Sequence, residues 1–245
     1  MKVTHKQLAQ LMVQVDDDAK LKDLLRYVFS FQENIDIFST FIFNEAITTR
    51  IPSFHYDLYN ALFDKEDIAI AAPRGFGKST VVGLVFISFC IVNKLERYIV
   101  YMSQNHAKTV QFIEPIRNNF SSNDRLLWLY GNLTPKATKD ESGRDREDCF
   151  DVNGIRVEGV SFEKNIRGFK YGEIRPTLII GDDIEEDVRV LNPELRVKDE
   201  QKLKKVVLPS LDVNGRFKMI GTILHVDSLL FKMIRIYNGD RKSVV

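Results

Sequence analysis

The chain has 245 residues, enough for one large or two small domains, and its 44% apolar content excludes wholesale disorder and supports a sizeable core. A net charge of +1 excludes a strongly basic DNA-coating protein and confines nucleic-acid contact to local patches. Cys90 and Cys149 lie far apart, so neither a disulfide framework nor a zinc spacing exists, and a reducing cytosol fits.

The opening of the chain is polar and charged, which predicts no signal peptide. Residues 4–50 read as helices. Leu8, Leu11, Met12 and Val15 recur at helical spacing, as do Leu21, Leu24, Leu25 and Val28. The aromatic and apolar stretch 38–47 packs on a core. An N-terminal helical subdomain is expected over 1–50, ahead of a main domain over 51–245. Pro52-Ser53 then starts a helix with Leu58, Leu62 and Phe63 inward. Phe54 and His55 on it are placed where an aromatic face and a polar edge meet an adenine. A core aromatic beside a satisfied histidine fits the composition as well.

Residues 67–71 are short, apolar and partly β-branched, a strand. Pro73-Arg74-Gly75-Phe76-Gly77-Lys78-Ser79-Thr80 follows, then an apolar run over 81–90 that predicts a buried helix. Strand, glycine-rich turn, Gly-Lys-Ser and helix together predict a P-loop. Successive backbone N–H groups and the helix dipole form a cradle for phosphate oxygens, and Gly75 and Gly77 permit close approach. Lys78 is expected on the β- and γ-phosphates and Ser79 on Mg²⁺. The first glycine of the usual pattern is Ala72 here. Arg74 adds a second cation to the loop, or is a solvated loop residue. The apolar run, the longest in the chain, is too short to span a bilayer.

Residues 97–103 read as a second strand, and Gln104-Asn105 caps a helix to about Phe120, with Val110, Ile113 and Ile116 inward. Residues 131–148 are polar and unperiodic, an exposed loop. Residues 149–152 and 155–160 form a hairpin around Asn153-Gly154. Residues 176–183 are a buried strand ending in Asp182 and Asp183. Carboxylates at the C-terminal end of a parallel strand lie on the ligand edge of an α/β sheet. Asp182 is read as a holder of the Mg²⁺ shell and Asp183 as the carboxylate that orients water. Glu185, Glu186 and Asp187 add acid or form a solvated loop. Residues 195–207 are a basic helix whose lysines read first as a solvated face. Residues 216–222 are a last strand with Thr222 and His225 at its end, and 228–237 a final amphipathic helix. Alternating strands and helices predict a mostly parallel sheet.

In motif order, from about 51 to 235, the chain resembles the ATPase domain of the large terminase subunit of tailed bacteriophages. Residues 72–79 are similar to that family's deviant Walker A, which also places an arginine four residues before the lysine; 178–183 resemble its Walker B. Gly221-Thr222 with His225 resembles its coupling motif, which senses the γ-phosphate. Phe54-His55 falls at its adenine-binding position, where many members have glutamine. Asn165-Ile166-Arg167-Gly168 resembles a segment whose arginine reaches the ATP of a neighbouring subunit. Asp183 stands where many relatives have glutamate, which leaves Glu185 or Glu186 as the alternative catalytic carboxylate.

The resemblance implies an α/β P-loop NTPase of the additional-strand type that hydrolyses ATP with Mg²⁺ and drives double-stranded DNA into a procapsid. Portal protein and small terminase subunit are implied partners, a homo-oligomeric ring the assembly and the host cytoplasm the location. The family's nuclease domain is expected to be absent, since the chain stops at Val245. A helicase-like ATPase and a nucleotide-binding assembly module without turnover are the rival readings.

Overall fold

The computed structural model describes residues 2–48, 51–139, 145–163 and 169–237. The first helices are α1 (His5–Val13), α2 (Asp18–Phe29) and α3 (Ile35–Ile42). Thr4 and Gln7 form a reciprocal capping box on α1, and the Asp17 side chain caps α2. Helix α4 (Ser53–Phe63) starts after Pro52 and leads into strand β1 (Ile68–Ala71). The turn between them is held from below. Fully buried Lys218 donates to the Asp64 and Glu66 carbonyls at 2.7 and 2.6 Å, and Asp67 accepts the Phe217 N–H at 2.7 Å.

After β1 the chain turns through the glycine-rich loop into a helix. Its first part, Thr80–Ile87, is hydrogen-bonded i to i+5, and it continues as α5 (Ser88–Val92). Strand β2 (Tyr98–Ser103) and helix α6 (His106–Ser122, capped by the Asn105 side chain) follow, then α7 (Asp124–Tyr130). Next come β3 (Lys136–Lys139), β4 (Asp145–Val152), β5 (Ile155–Ser161) and β6 (Leu178–Asp182). Helices α8 (Asp187–Leu191) and α9 (Pro193–Lys202), a further i to i+5 turn at Leu203–Val207, β7 (Arg216–Gly221) and α10 (Leu229–Tyr237) follow.

The seven strands run in the order β1-β7-β6-β2-β5-β4-β3. Pairing is parallel from β1 to β5 and antiparallel from β5 through β4 to β3. Strand β7 separates β1 from β6, so an extra strand stands between the P-loop strand and the acidic strand. That is the additional-strand P-loop NTPase architecture that the resemblance implies. In register, Ala71 pairs with Gly221 and Asp182 with Ile220, which aligns the C-terminal ends of β1, β6 and β7 along one edge.

All six residues of β2 are buried, as expected for a central strand covered on both faces. Ile99 and Tyr101 enter one core, shared with α1 to α4, the P-loop helix and α6; Tyr98, Val100 and Met102 enter the other, with α10 and residues 203–207. The alternation is the period of two of an extended strand. The hairpin turn at Asn153 (φ 53°) and Gly154 (φ 80°) has the left-handed pair that a two-residue type I′ loop needs.

One expectation is corrected. Residues 131–148 are not all loop: β3 occupies 136–139 and β4 starts at 145. Strand β3 is an edge strand with mostly exposed side chains, so no apolar alternation marks it. Its pairing with Phe150 and Asp151 of β4 supplies the order that its own residues lack.

Candidate nucleotide-binding site

The loop between β1 and the P-loop helix supplies the base of the site. Gly75 (φ 83°) and Gly77 (φ 69°) take left-handed backbone just before a helix N-terminus, the kind of turn from which backbone N–H groups can cradle an anion. A side chain at 75 meets only that backbone penalty, whereas one at 77 also faces the His55 ring at 3.6 Å. His55 Nε2 donates to the Phe76 carbonyl at 3.0 Å, and Phe54 packs on the Phe76 ring at 5.0 Å. The structure thus brings Phe54 and His55 of α4 against the outer side of the loop. Pro73, Arg74, Phe76 and Ser79 are exposed and Thr80 half-buried.

Lys78 is the exception, only 6% exposed. Its ammonium donates at 2.9 Å to the Ala72 carbonyl and at 2.9 Å to the Thr222 hydroxyl, and lies 3.7 Å from Asp183 Oδ2. It reaches across from the P-loop to the ends of β7 and β6. Strand β7 makes this reach possible by placing Gly221 beside Ala72, whose N–H donates to the Gly221 carbonyl at 2.9 Å. Gly221 lets the two strands' ends approach, since a Cβ there would stand only 3.0 Å from Asp183 Oδ1 and 3.3 Å from Leu230.

Strand geometry sends successive side chains to opposite faces. Asp183 escapes this rule by adopting φ 42°, left-handed backbone that aspartate tolerates better than most residues. Both acids therefore reach the loop. Asp182 Oδ2 accepts from the Ser79 hydroxyl at 3.3 Å and from the Tyr101 hydroxyl at 2.9 Å. Asp183 Oδ1 accepts from the Thr222 N–H at 2.9 Å. Burial, then the neighbouring Asp183 charge, pushes the Asp182 carboxyl up to about 6. Its Oδ1 is buried and has no hydrogen-bond partner.

An orphaned buried carboxylate oxygen beside a serine hydroxyl fits a hard divalent cation, which takes oxygen ligands and relieves an uncompensated charge. Among the described residues no three of His, Cys, Asp or Glu converge as a metal cage. Ser79 and Asp182 suit Mg²⁺ held jointly with nucleotide phosphates, the arrangement in which that ion uses few protein carboxylates.

The remaining candidates lie elsewhere. Glu185 accepts the Leu229 and Leu230 N–H groups at 2.6 and 2.9 Å and so caps α10; burial raises its carboxyl pKa. Glu186 stands at the N-cap of α8 without a capping bond from its side chain. His225 Nδ1 accepts the Asp227 N–H at 3.0 Å, a local turn contact. Arg74 pairs with Asp187 at 3.3 Å, both side chains about two-thirds exposed (69% and 67%). Arg167 lies outside the described residues. Sequence reasoning missed Tyr101, whose neighbour Phe112 stacks on its ring, and it missed the role of Glu185 as a cap. No helix of the described residues is long and apolar enough to cross a membrane.

No family model and no curated protein matches the chain by sequence. Several solved structures are similar, three of them as follows. The ATPase domain of the large terminase of Thermus phage P74-26 is 11% identical, over 77% of this chain and 71% of that one, with a TM-score of 0.50. The bacteriophage HK97 large terminase is 15% identical, over 74% of this chain, with a TM-score of 0.47; the chain spans 35% of its length. A chain of the bacteriophage phi-29 viral genome packaging motor assembly is 14% identical, over 68% of this chain and 46% of that one, at 0.40. What is shared at such identity is the fold, and this chain has the P-loop NTPase fold of a large-terminase ATPase domain.

Proposed function

We propose that this chain is an Mg²⁺-dependent ATPase, the motor domain of a terminase that drives double-stranded DNA into a procapsid. The observation that carries the reading is the reach of Lys78 from the P-loop to Thr222 and Asp183, at the ends of the strands that flank the phosphate cradle. Here the loop N–H groups and Lys78 bind the β- and γ-phosphates. Ser79 and Asp182 hold Mg²⁺, which neutralises charge on the phosphate oxygens when bound. Thr222 fixes Asp183 through Oδ1 and leaves Oδ2 facing the cleft, where it orients the attacking water and takes up its proton. The Thr222 hydroxyl, bonded to Lys78, sits where loss of the γ-phosphate alters the lysine's contacts, and β7 carries that change away. Phe54 and His55 flank the adenine. Glu185 is excluded from the base role in this reading because both its oxygens are taken by α10.

Portal protein, a small terminase subunit and further copies of the chain in a ring are the partners this function requires, with residues 1–50 as a helical subdomain and 51–245 as the ATPase domain. The test is steady-state phosphate release with and without linear duplex DNA, beside Lys78→Ala. DNA-stimulated turnover abolished by Lys78→Ala supports the motor. Nucleotide binding without turnover indicates an assembly module, and strand separation of a forked duplex indicates a helicase.

A further inference from the structure

Strand β2, which carries no P-loop motif, places one side chain on the metal-shell acid. Tyr101 is 3% exposed and donates its hydroxyl proton to Asp182 Oδ2 at 2.9 Å, nearer than the Ser79 hydroxyl at 3.3 Å. Two donors on Oδ2 leave Oδ1 of the same carboxylate buried and unpartnered. A carboxylate pivots about its terminal bond with little resistance, so what fixes its plane is what holds one oxygen. Tyr101 is in turn fixed by Phe112 of α6, whose ring lies flat on it at 3.4 Å between centroids and 5° between planes. Ring quadrupoles disfavour that face-to-face approach, so the surrounding packing imposes it. The packing is visible at the tip of the Phe112 ring, where a Cβ on Gly83 of the P-loop helix would stand 2.0 Å from the ring's Cζ. Phe112 therefore fills a notch that only glycine leaves open. A cavity of about 340 Å³ opens beside these groups, lined by Ser79, Tyr101, Phe112, Asp182, Asp183 and Lys108.

We infer that Tyr101 is a positioning residue for the metal site, setting the plane of Asp182 through its hydroxyl, and that Phe112 seated on Gly83 holds Tyr101 in place. The inference rests on the proposed reading of Ser79 and Asp182 as metal ligands and adds the residues that aim the acid. It also gives α6 a mechanical link to the ATP site: displacement of Phe112 from the Gly83 notch releases Tyr101, and with it Asp182.

The experiment measures Mn²⁺ affinity of the ADP-loaded full chain by electron paramagnetic resonance, and ADP affinity in excess EDTA, with melting temperature as the fold check. Asp182→Ala is the control. Tyr101→Phe keeps the ring and is expected to weaken Mn²⁺ about tenfold, the usual scale for losing a partner of a metal ligand, while metal-free ADP affinity stays unchanged. Phe112→Leu leaves every polar group in place and is expected to weaken Mn²⁺ in the same sense by a smaller factor. Wild-type Mn²⁺ affinity in both variants, with Asp182→Ala impaired, overturns the positioning role alone. Wild-type Mn²⁺ affinity in Asp182→Ala overturns the metal-site reading itself. Equal loss of Mn²⁺ and metal-free ADP binding in Tyr101→Phe indicates general damage to the site and also counts against the inference.

Discussion

Asp183 Oδ1 accepts the backbone N–H of Thr222 at 2.9 Å while its Oδ2 stands 3.7 Å from the Lys78 ammonium. One carboxylate thus joins the end of the acidic strand to the end of the inserted strand and faces the P-loop lysine. Asparagine keeps the acceptor for Thr222 but loses the charge and cannot take up a proton. Asp183→Asn is expected to lower turnover by about 10²- to 10⁴-fold with nucleotide affinity changed only a few-fold. Phosphate release and a fluorescent-ADP titration check it. Glu185→Gln keeps turnover and costs about 1 kcal/mol of stability, because an amide serves only one of the two α10 N–H groups. Normal hydrolysis in Asp183→Asn beside a dead Glu185→Gln reverses this assignment.

Lys78→Ala removes the cation whose donors already point at the Ala72 carbonyl and Thr222. Turnover is expected to drop by about 10²-fold or more, the scale on which one preorganised donor acts at a developing charge. The fold is retained, since the Ala72 carbonyl keeps the Thr222 hydroxyl at 3.3 Å. A folded Lys78→Ala protein that hydrolyses ATP at the wild-type rate removes the P-loop from the chemistry.

How far the site was legible depends on where its partners lie in the chain. The P-loop is a local signal: its glycines, lysine and serine are neighbours between an apolar strand and an apolar helix. Asp182 is marked by the apolar run before it. Tyr101 is not marked at all. It is one of six buried residues of β2, and only the pairing of β2 with β6 carries its hydroxyl to an acid 81 positions on. Glu185 reads as one of several loop acids until α10, 44 residues later, presents its N-terminus. Lys218 is marked by nothing in the sequence, yet it is fully buried and satisfied by the two carbonyls that precede β1. In each case the missing information is long-range pairing, and strand order carries it.

The apo protein is expected to be more stable in mild acid through Asp182. Its carboxyl is raised to about 6 from 3.8, so between those values the folded chain binds more protons than the unfolded one, and this contribution to stability grows as pH falls through the window. Above pH 6 the ionised, buried acid costs the folded state about 3 kcal/mol, at 1.36 kcal/mol per pKa unit. Asp182→Asn removes that cost. Without metal or nucleotide, the variant should melt above wild type at pH 8, and the gap should close toward pH 4. Metal-dependent nucleotide affinity of the wild type runs the other way and falls below pH 6, because the cation needs the ionised form. Thermal melts at the two pH values check the first part; a gap that does not change with pH contradicts it.

Arg74 supplies the last prediction. Its pairing with Asp187 at 3.3 Å holds it beside the P-loop, yet both side chains are largely exposed. Exposed pairs contribute about 0–1 kcal/mol, and salt screens them, so the bond is cheap to break when a phosphate offers a better partner. The planar guanidinium bridges two oxygens of a transferring phosphoryl group, which an ammonium does not. Arg74→Ala is therefore expected to lower turnover by about 10³-fold with binding of ADP nearly unchanged, and Arg74→Lys to restore little of it. Asp187→Ala frees the arginine and should leave turnover at or above the wild-type level, with stability changed by less than about 0.5 kcal/mol. The two outcomes separate the roles: a pair that matters as a salt bridge loses function equally from either side, whereas an arginine parked for catalysis loses it only from its own. Wild-type turnover in Arg74→Ala makes Arg74 a solvated loop residue and leaves Lys78 as the P-loop's only cation acting on the phosphates.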